Sequence, residues 1–306
     1  MENMKFITKV EIIPMEKRLD YSHKLLFMGS CFASEIGERL LSLRFDAKVN
    51  PFGVLYNPAS IAVSLERLES GRLFEFGELI KSGDIYKSFM HGSEFAAMSA
   101  EDFLEKNNAI LSESSNHFHK SDWIAISLGT SWVYRLKESG QIVSNCHKLP
   151  SSHFNREILS VDEIVCLLSP IVERYPEKEW IFTVSPIRHW KDGADGNQRS
   201  KARLLLAVEK LCAKFGNVHY FPAYELMMDE LRDYRFYADD MIHPSSLAVD
   251  YIWRGFAEFA IDGGAAPRMK KVATLNSMLS HRPIFPDSKE YKKFTDKIKE
   301  LQEELD

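Results

Sequence analysis

Gly29-Ser30-Cys31 ends a short apolar run, Lys24 to Met28, and sets a hydroxyl and a thiol side by side on a turn. Where such a turn opens a helix, its free backbone N–H groups and dipole stabilise a thiolate or a developing oxyanion. That is the setting of a nucleophile. The plainer alternative is a turn whose serine caps the helix and whose cysteine packs as a small hydrophobe. Far along the chain, Asp240 and His243 stand three residues apart. At that spacing on a turn, a carboxylate can fix the imidazole tautomer and stabilise the cation formed when the ring takes a proton. Asp239 offers a second carboxylate for the same task.

Other polar groups also follow apolar runs. They are Asn50-Pro51-Phe52-Gly53, Gly129-Thr130-Ser131, Asn145-Cys146-His147-Lys148 and Ser185-Pro186-Ile187-Arg188-His189. Cys146 and His147 are placed to line the same crevice as the turn; as a metal site the pair is two ligands short, and no metal is expected. Arg188 suits an anionic substrate group, although Arg188 and His189 serve equally well as hydrogen-bond partners of loop carbonyls. His91, beside Gly92-Ser93, reads as a surface residue.

The elements that must position these groups alternate in period. Lys24–Met28, Asp122–Leu128, Trp180–Val184 and Val218–Phe221 are short apolar runs, the pattern of buried parallel strands. Phe32, Ile36, Leu40 and Leu41 recur at helical spacing, as do the apolar residues of 160–174 and 200–215. Asn57-Pro58 reads as a helix start. Residues 132–136 and 141–143 flank Gly140 like a hairpin. Strands alternating with helices predict a parallel sheet covered on both faces, whose ligands gather outside the carboxyl ends of its strands. Residues 71–120 read as a helical insertion, and 287–306 as an amphipathic C-terminal helix packed on its own domain. No linker or repeat divides the chain, so one domain is expected over residues 1–306.

A net charge of -5 supplies no basic field for phosphates, so nucleic acid is not the expected partner. No run reaches the roughly 18 apolar residues of a membrane span, and 1–14 lacks an apolar core with a cleavage site. The expected location is the cytoplasm. The four cysteines form no Cys-x-x-Cys pair and are expected as free thiols, with Cys166 and Cys212 in the core. Neither the Gly-x-x-x-x-Gly-Lys nor the Gly-x-Gly-x-x-Gly phosphate loop occurs, and no cofactor is expected.

Taken in order, the Gly-x-nucleophile turn, the glycine after the second strand, Gly129-Thr130 and Asp240-x-x-His243-Pro244 resemble the blocks of the SGNH/GDSL hydrolase superfamily. Met28-Gly29-Ser30-Cys31-Phe32-Ala33-Ser34 more specifically resembles the signature of the GSCFA family. Asn50 to Pro58, Leu128 to Trp132, Asn145 to Lys148 and Ser185 to His189 extend the likeness over roughly residues 20–265. The resemblance implies an SGNH-like, flavodoxin-like three-layer α/β/α sandwich. It implies ester hydrolysis or acyl transfer on a small hydroxylated molecule or glycan. Its register places Cys31 at the nucleophile, with Ser30 the alternative, His243 as base and Asp240 as its orienter. The N–H groups of Cys31 and Gly53 would hold the oxyanion, and Ser131 stands where the superfamily has an asparagine. A binding protein that keeps the crevice without turnover is the competing reading.

Overall fold

The computed structural model describes residues 7–305. Five parallel strands form the central sheet: β1 (Lys24–Gly29), β2 (Asp46–Val49), β5 (Trp123–Leu128), β9 (Glu179–Val184) and β10 (Val218–Phe221), in the order β10-β9-β5-β1-β2. The residues of β5 and β9 are buried throughout, as expected of strands covered on both faces. Alternate side chains feed two separate cores. Leu26, Met28, Ile124, Ile126, Trp180 and Phe182 meet α2 (Pro58–Ser70), α3 (Ala100–Lys120), α4 (Val161–Arg174) and α5 (Gly193–Lys214). Leu25, Phe27, Trp123, Ala125 and Ile181 meet α1 (Cys31–Ser42) and α7 (Ser246–Ala260). The result is the expected α/β/α sandwich.

Local chemistry sets the helix starts. Asn57 caps α2 by accepting from the Ser60 N–H, with Pro58 in the first turn and left-handed Gly71 at the end. Ser160 and Glu163 form a capping box on α4. Cys166, expected in the core, is exposed. Inward positions of α4 are Ile164, Leu168, Ile171 and Val172, and residue 166 falls two residues, about 200°, from Ile164.

The segment 71–120 departs from the helical insertion expected of it. Its first half is a hairpin, β3 (Leu79–Ser82) with β4 (Ile85–Ser88), turned at left-handed Gly83. Its second half, α3, belongs to the sandwich, burying Leu111 and Phe118. The sparse apolar residues of 71–99 have no helical period because they line a hairpin. A second small sheet joins β6 (Trp132–Leu136) to β7 (Ile142–Val143), as expected, and to the unforeseen β8 (Phe154–Ile158). Toward the C-terminus, α9 (Lys289–Leu305) packs Ile298 and Leu305 on Val272 and Leu275 of α8 (Ala266–Leu279). Among the described residues, no helix is long and apolar enough to cross a membrane.

His91 is not a surface residue. Its ring lies among Phe52, Phe74, Phe95 and Phe103, with centroids 4.7–5.5 Å away, and its Nδ1 has no partner among the described residues. Burial, then the nearby Arg67 and His147 charges, pushes its pKa down to about 3. Between the ordinary value of 6.5 and about 3, the unfolded chain binds a proton that folded His91 refuses. Unfolding free energy therefore falls as pH drops through that window, by about 1 kcal/mol per pH unit for one such group. His91→Phe is expected to keep or raise stability at pH 7 and to flatten this acid loss. Urea titrations at pH 7 and pH 5 read the effect; equal losses in both proteins would refute it.

Candidate active site

At the carboxyl end of β1 the chain turns at Gly29 (φ 128°), whose N–H donates to Asn50 Oδ1 at 2.8 Å. A side chain here would meet the Ser127 carbonyl oxygen at 2.1 Å. Glycine is therefore required where β1 lies against β5. Ser30 follows as the cap of α1: its Oγ accepts from the Phe32 N–H at 3.2 Å and shares a 2.8 Å hydrogen bond with Ser127 Oγ. With 1% exposure, Ser30 lies beneath the turn, so the alternative nucleophile is withdrawn from the crevice. Cys31, the first residue of α1, is only half-buried, with its Sγ 3.4 Å from the Tyr56 hydroxyl. Among the described residues, the Cys31 N–H has no acceptor.

Three expected substrate contacts serve the scaffold. Asn50 Nδ2 donates to Ser34 Oγ at 2.7 Å, so its side chain ties the end of β2 to the β1 turn and α1. Thr130 Oγ1 shares a 3.0 Å hydrogen bond with Ser200 Oγ. Ser131 is fully buried, its N–H donating to Ser200 Oγ and its hydroxyl to the Ser200 carbonyl. These bonds fasten the end of β5 to α5. Gly53 is likewise engaged, its N–H donating to the Asn50 carbonyl at 2.8 Å.

The partner of His243 is Asp240 rather than Asp239. Asp240 Oδ1 accepts the N–H groups of Ile242 and His243 at 2.9 Å, and Oδ2 meets His243 Nδ1 at 2.5 Å. Those donors, the His243 N–H first, hold the Asp240 carboxyl down to about 2. With Nδ1 paired to the carboxylate, His243 Nε2 has no hydrogen-bond partner among the described residues. His243 remains about half exposed, at 48%. Arg188 grips this loop: its guanidinium donates to the Met241 carbonyl and lies over the rings of Tyr237 and Trp190. Arg188 Nε has no hydrogen-bond partner among the described residues.

His189 stands between the two halves. Its Nε2 is unpartnered among the described residues and lies 3.0 Å from where a Gly129 side chain would begin. Its ring meets Tyr56 edge to face, with centroids 5.3 Å apart. Burial, then the charges of Lys201 and His243, lowers its pKa to about 3, so the ring is neutral. Cys31, Tyr56 and His189 thus form a continuous series, and His189 lies within electrostatic reach of His243. His147 packs against the hairpin, its Nε2 donating to the Ser88 carbonyl, while burial raises the Cys146 thiol against the opposing charge of Lys191. None of these side chains lines the 760 Å³ cavity formed by Ile7, Thr8, Glu230, Arg235, Leu247 and Tyr251.

Two residues were missed. Tyr56 accepts both the Gly129 and Thr130 N–H groups on its carbonyl at 2.8 Å, and its hydroxyl reaches Cys31. Lys201 is 1% exposed and donates to the carbonyls of Gly129 and Ser185, joining the ends of β5 and β9. Burial lowers its pKa to about 7. The sequence signal for Lys201 was a charge in the inward stripe Asn197, Ser200, Lys201, Leu204 of α5.

No curated protein matches the chain. A solved Clostridium thermocellum family 3 carbohydrate esterase aligns over 82% of this chain and 98% of its own, at 10% identity and a TM-score of 0.38. The model of the GSCFA family matches residues 24–256, from the start of β1 to the buried Phe256 of α7. Gly29, Cys31, Tyr56, His189, Asp240 and His243 all fall inside that match, and the chain belongs to the GSCFA family.

Proposed function

We propose that this protein is an ester hydrolase or acyltransferase that works through an acyl-enzyme on Cys31. Its substrate would be an acyl ester of a small hydroxylated molecule or glycan. The observation that carries this reading is the Asp240–His243 pair, on a loop joined just beyond β9 by the Arg188 N–H bond to the Ile242 carbonyl, while α1 presents a thiol beyond β1 of the same sheet. A loop stabilised for its own sake has no need of an oriented base.

In the proposed reaction the Cys31 thiol gives its proton to His243 Nε2, and its sulfur forms a bond to the acyl carbon while the carbonyl electron pair moves onto oxygen. Collapse restores the carbonyl and breaks the ester C–O bond, and the departing alkoxide takes the proton from His243. Water, or a bound alcohol, then attacks the thioester while His243 takes its proton; collapse breaks the C–S bond, and the departing sulfur takes that proton from His243 to restore the thiol. The choice of acceptor separates hydrolase from transferase.

The test exposes the protein to p-nitrophenyl acetate and locates the acetyl group by peptide mass spectrometry. An adduct on Cys31 that is lost in Cys31→Ala and suppressed in His243→Ala is the expected result. No site-selective, His243-dependent adduct would sink the reading. It would favour a non-catalytic ligand-binding protein, an alternative supported by the internal pairing of the Gly53, Gly129 and Thr130 N–H groups.

A further inference from the structure

An acyl-enzyme needs donors for the oxygen that becomes negative, and the two groups expected beside the Cys31 N–H are occupied. Gly53 donates to Asn50, and Ser131 to Ser200. A tetrahedral carbon bonded to Cys31 Sγ carries its oxygen about 2.6 Å from that sulfur, and a useful donor lies about 3 Å from the oxygen, hence within about 5 Å of Sγ. A side-chain hydroxyl within that range, sharing a 3.4 Å hydrogen bond with Sγ, is that of Tyr56.

Tyr56 is also held in place. Its carbonyl takes the N–H groups of Gly129 and Thr130 at the end of β5, and its ring packs edge to face on His189. The next residue, Asn57, caps α2. The hydroxyl is thus carried by a ring anchored to the sheet, and the stabilising value of such a donor depends on being fixed before the reaction begins. Burial first, then the hydrogen bond with Cys31, raises the Tyr56 pKa above the ordinary 10, so the group keeps its proton and serves as a donor.

Resting on the acyl-enzyme reading above, we propose that Tyr56 is a catalytic residue whose hydroxyl, with the Cys31 N–H, receives the oxyanion in place of an asparagine. When sulfur attacks, the carbonyl electron pair moves to oxygen and is met by these two N–H and O–H donors. No proton leaves Tyr56, and the pair returns when the ester bond breaks.

Two reactions of Cys31 separate this role from others. Acetylation by p-nitrophenyl acetate passes through an oxyanion; alkylation by iodoacetamide is a displacement at a saturated carbon and does not. Tyr56→Phe keeps the ring and every backbone contact. It is expected to slow acetylation of Cys31 about 100-fold, within the range for loss of one such donor. Loss of the hydrogen bond to Sγ also touches the thiol, so the rate of alkylation should change by less than about tenfold, the weight of one such bond. Unchanged acetylation in Tyr56→Phe would overturn the inference and leave the acyl-enzyme reading standing. An equal fall in both reactions would overturn it too, assigning Tyr56 to the thiol alone. Failure of the parent protein to acetylate Cys31 while iodoacetamide labels it would overturn the acyl-enzyme reading and this inference together.

Discussion

Asp240→Asn is expected to slow His243-dependent acetylation of Cys31 by about 10,000-fold at neutral pH, the loss seen when an orienting carboxylate becomes an amide. The reason lies in the three hydrogen bonds that Asp240 accepts. Oδ1 takes the Ile242 and His243 N–H groups, and Oδ2 takes His243 Nδ1. An amide has one oxygen. If that oxygen keeps the two backbone donors, the NH₂ group faces Nδ1 and forces the ring proton onto Nε2, where the base must have a lone pair. If the amide flips, its NH₂ opposes two N–H groups and the turn around left-handed Met241 (φ 58°) loses its support. Single-turnover acetylation with the melting curve as control measures the effect. Asp240 lies on an exposed loop, so the melting curve should hardly move. A rate within threefold of the parent would remove Asp240 from the mechanism.

Gly29→Ala should be the most damaging single methyl in the molecule, costing more than about 4 kcal/mol or preventing folding. Alanine disfavours the φ of 128°, and its methyl would sit 2.1 Å from the Ser127 carbonyl oxygen and 2.9 Å from the Ser127 carbonyl carbon and nitrogen. Those are backbone atoms of β5, paired with β1 in register at Gly29 and Ser127. They cannot yield without separating the two strands that carry the site. Gly140→Ala is the control: its φ of 73° is also positive, but nothing lies within 4 Å, and it should cost only about 1 kcal/mol. Urea unfolding of the three proteins decides the matter; similar midpoints for both alanine variants would mean that the close approach of β1 and β5 relaxes freely.

The legible parts of the fold were those with a strong period or a strong local signal. The runs of β1, β5, β9 and β10 are apolar enough to require burial, and the starts of α1 and α2 carry their own caps. By contrast, β8 reads Phe-Asn-Arg-Glu-Ile, with Asn155 and Arg156 exposed, so no apolar alternation announces a strand that pairs only with β6. The hairpin of β3 and β4 was hidden for the same reason, being short and mostly half-exposed.

By itself, the sequence determined the turn at Gly29, the core strands β1, β5, β9 and β10 with the starts of α1 and α2, and the placing of His243 three residues from Asp240. Each rests on apolar runs, dihedral preferences or hydrogen bonds reaching only a few residues. Tertiary structure decided which groups of the candidate site are buried and which are left exposed. Ser30 is drawn inward by Ser127, 97 residues away, and Ser131 by Ser200, 69 residues away. Cys31 meets Tyr56 across 25 residues, and Lys201 joins two strand ends through Gly129 and Ser185. A hydroxyl or thiol on a turn can satisfy itself inward or outward at similar local cost. The partner that settles it is brought by the packing of the sheet, which no short window of sequence contains.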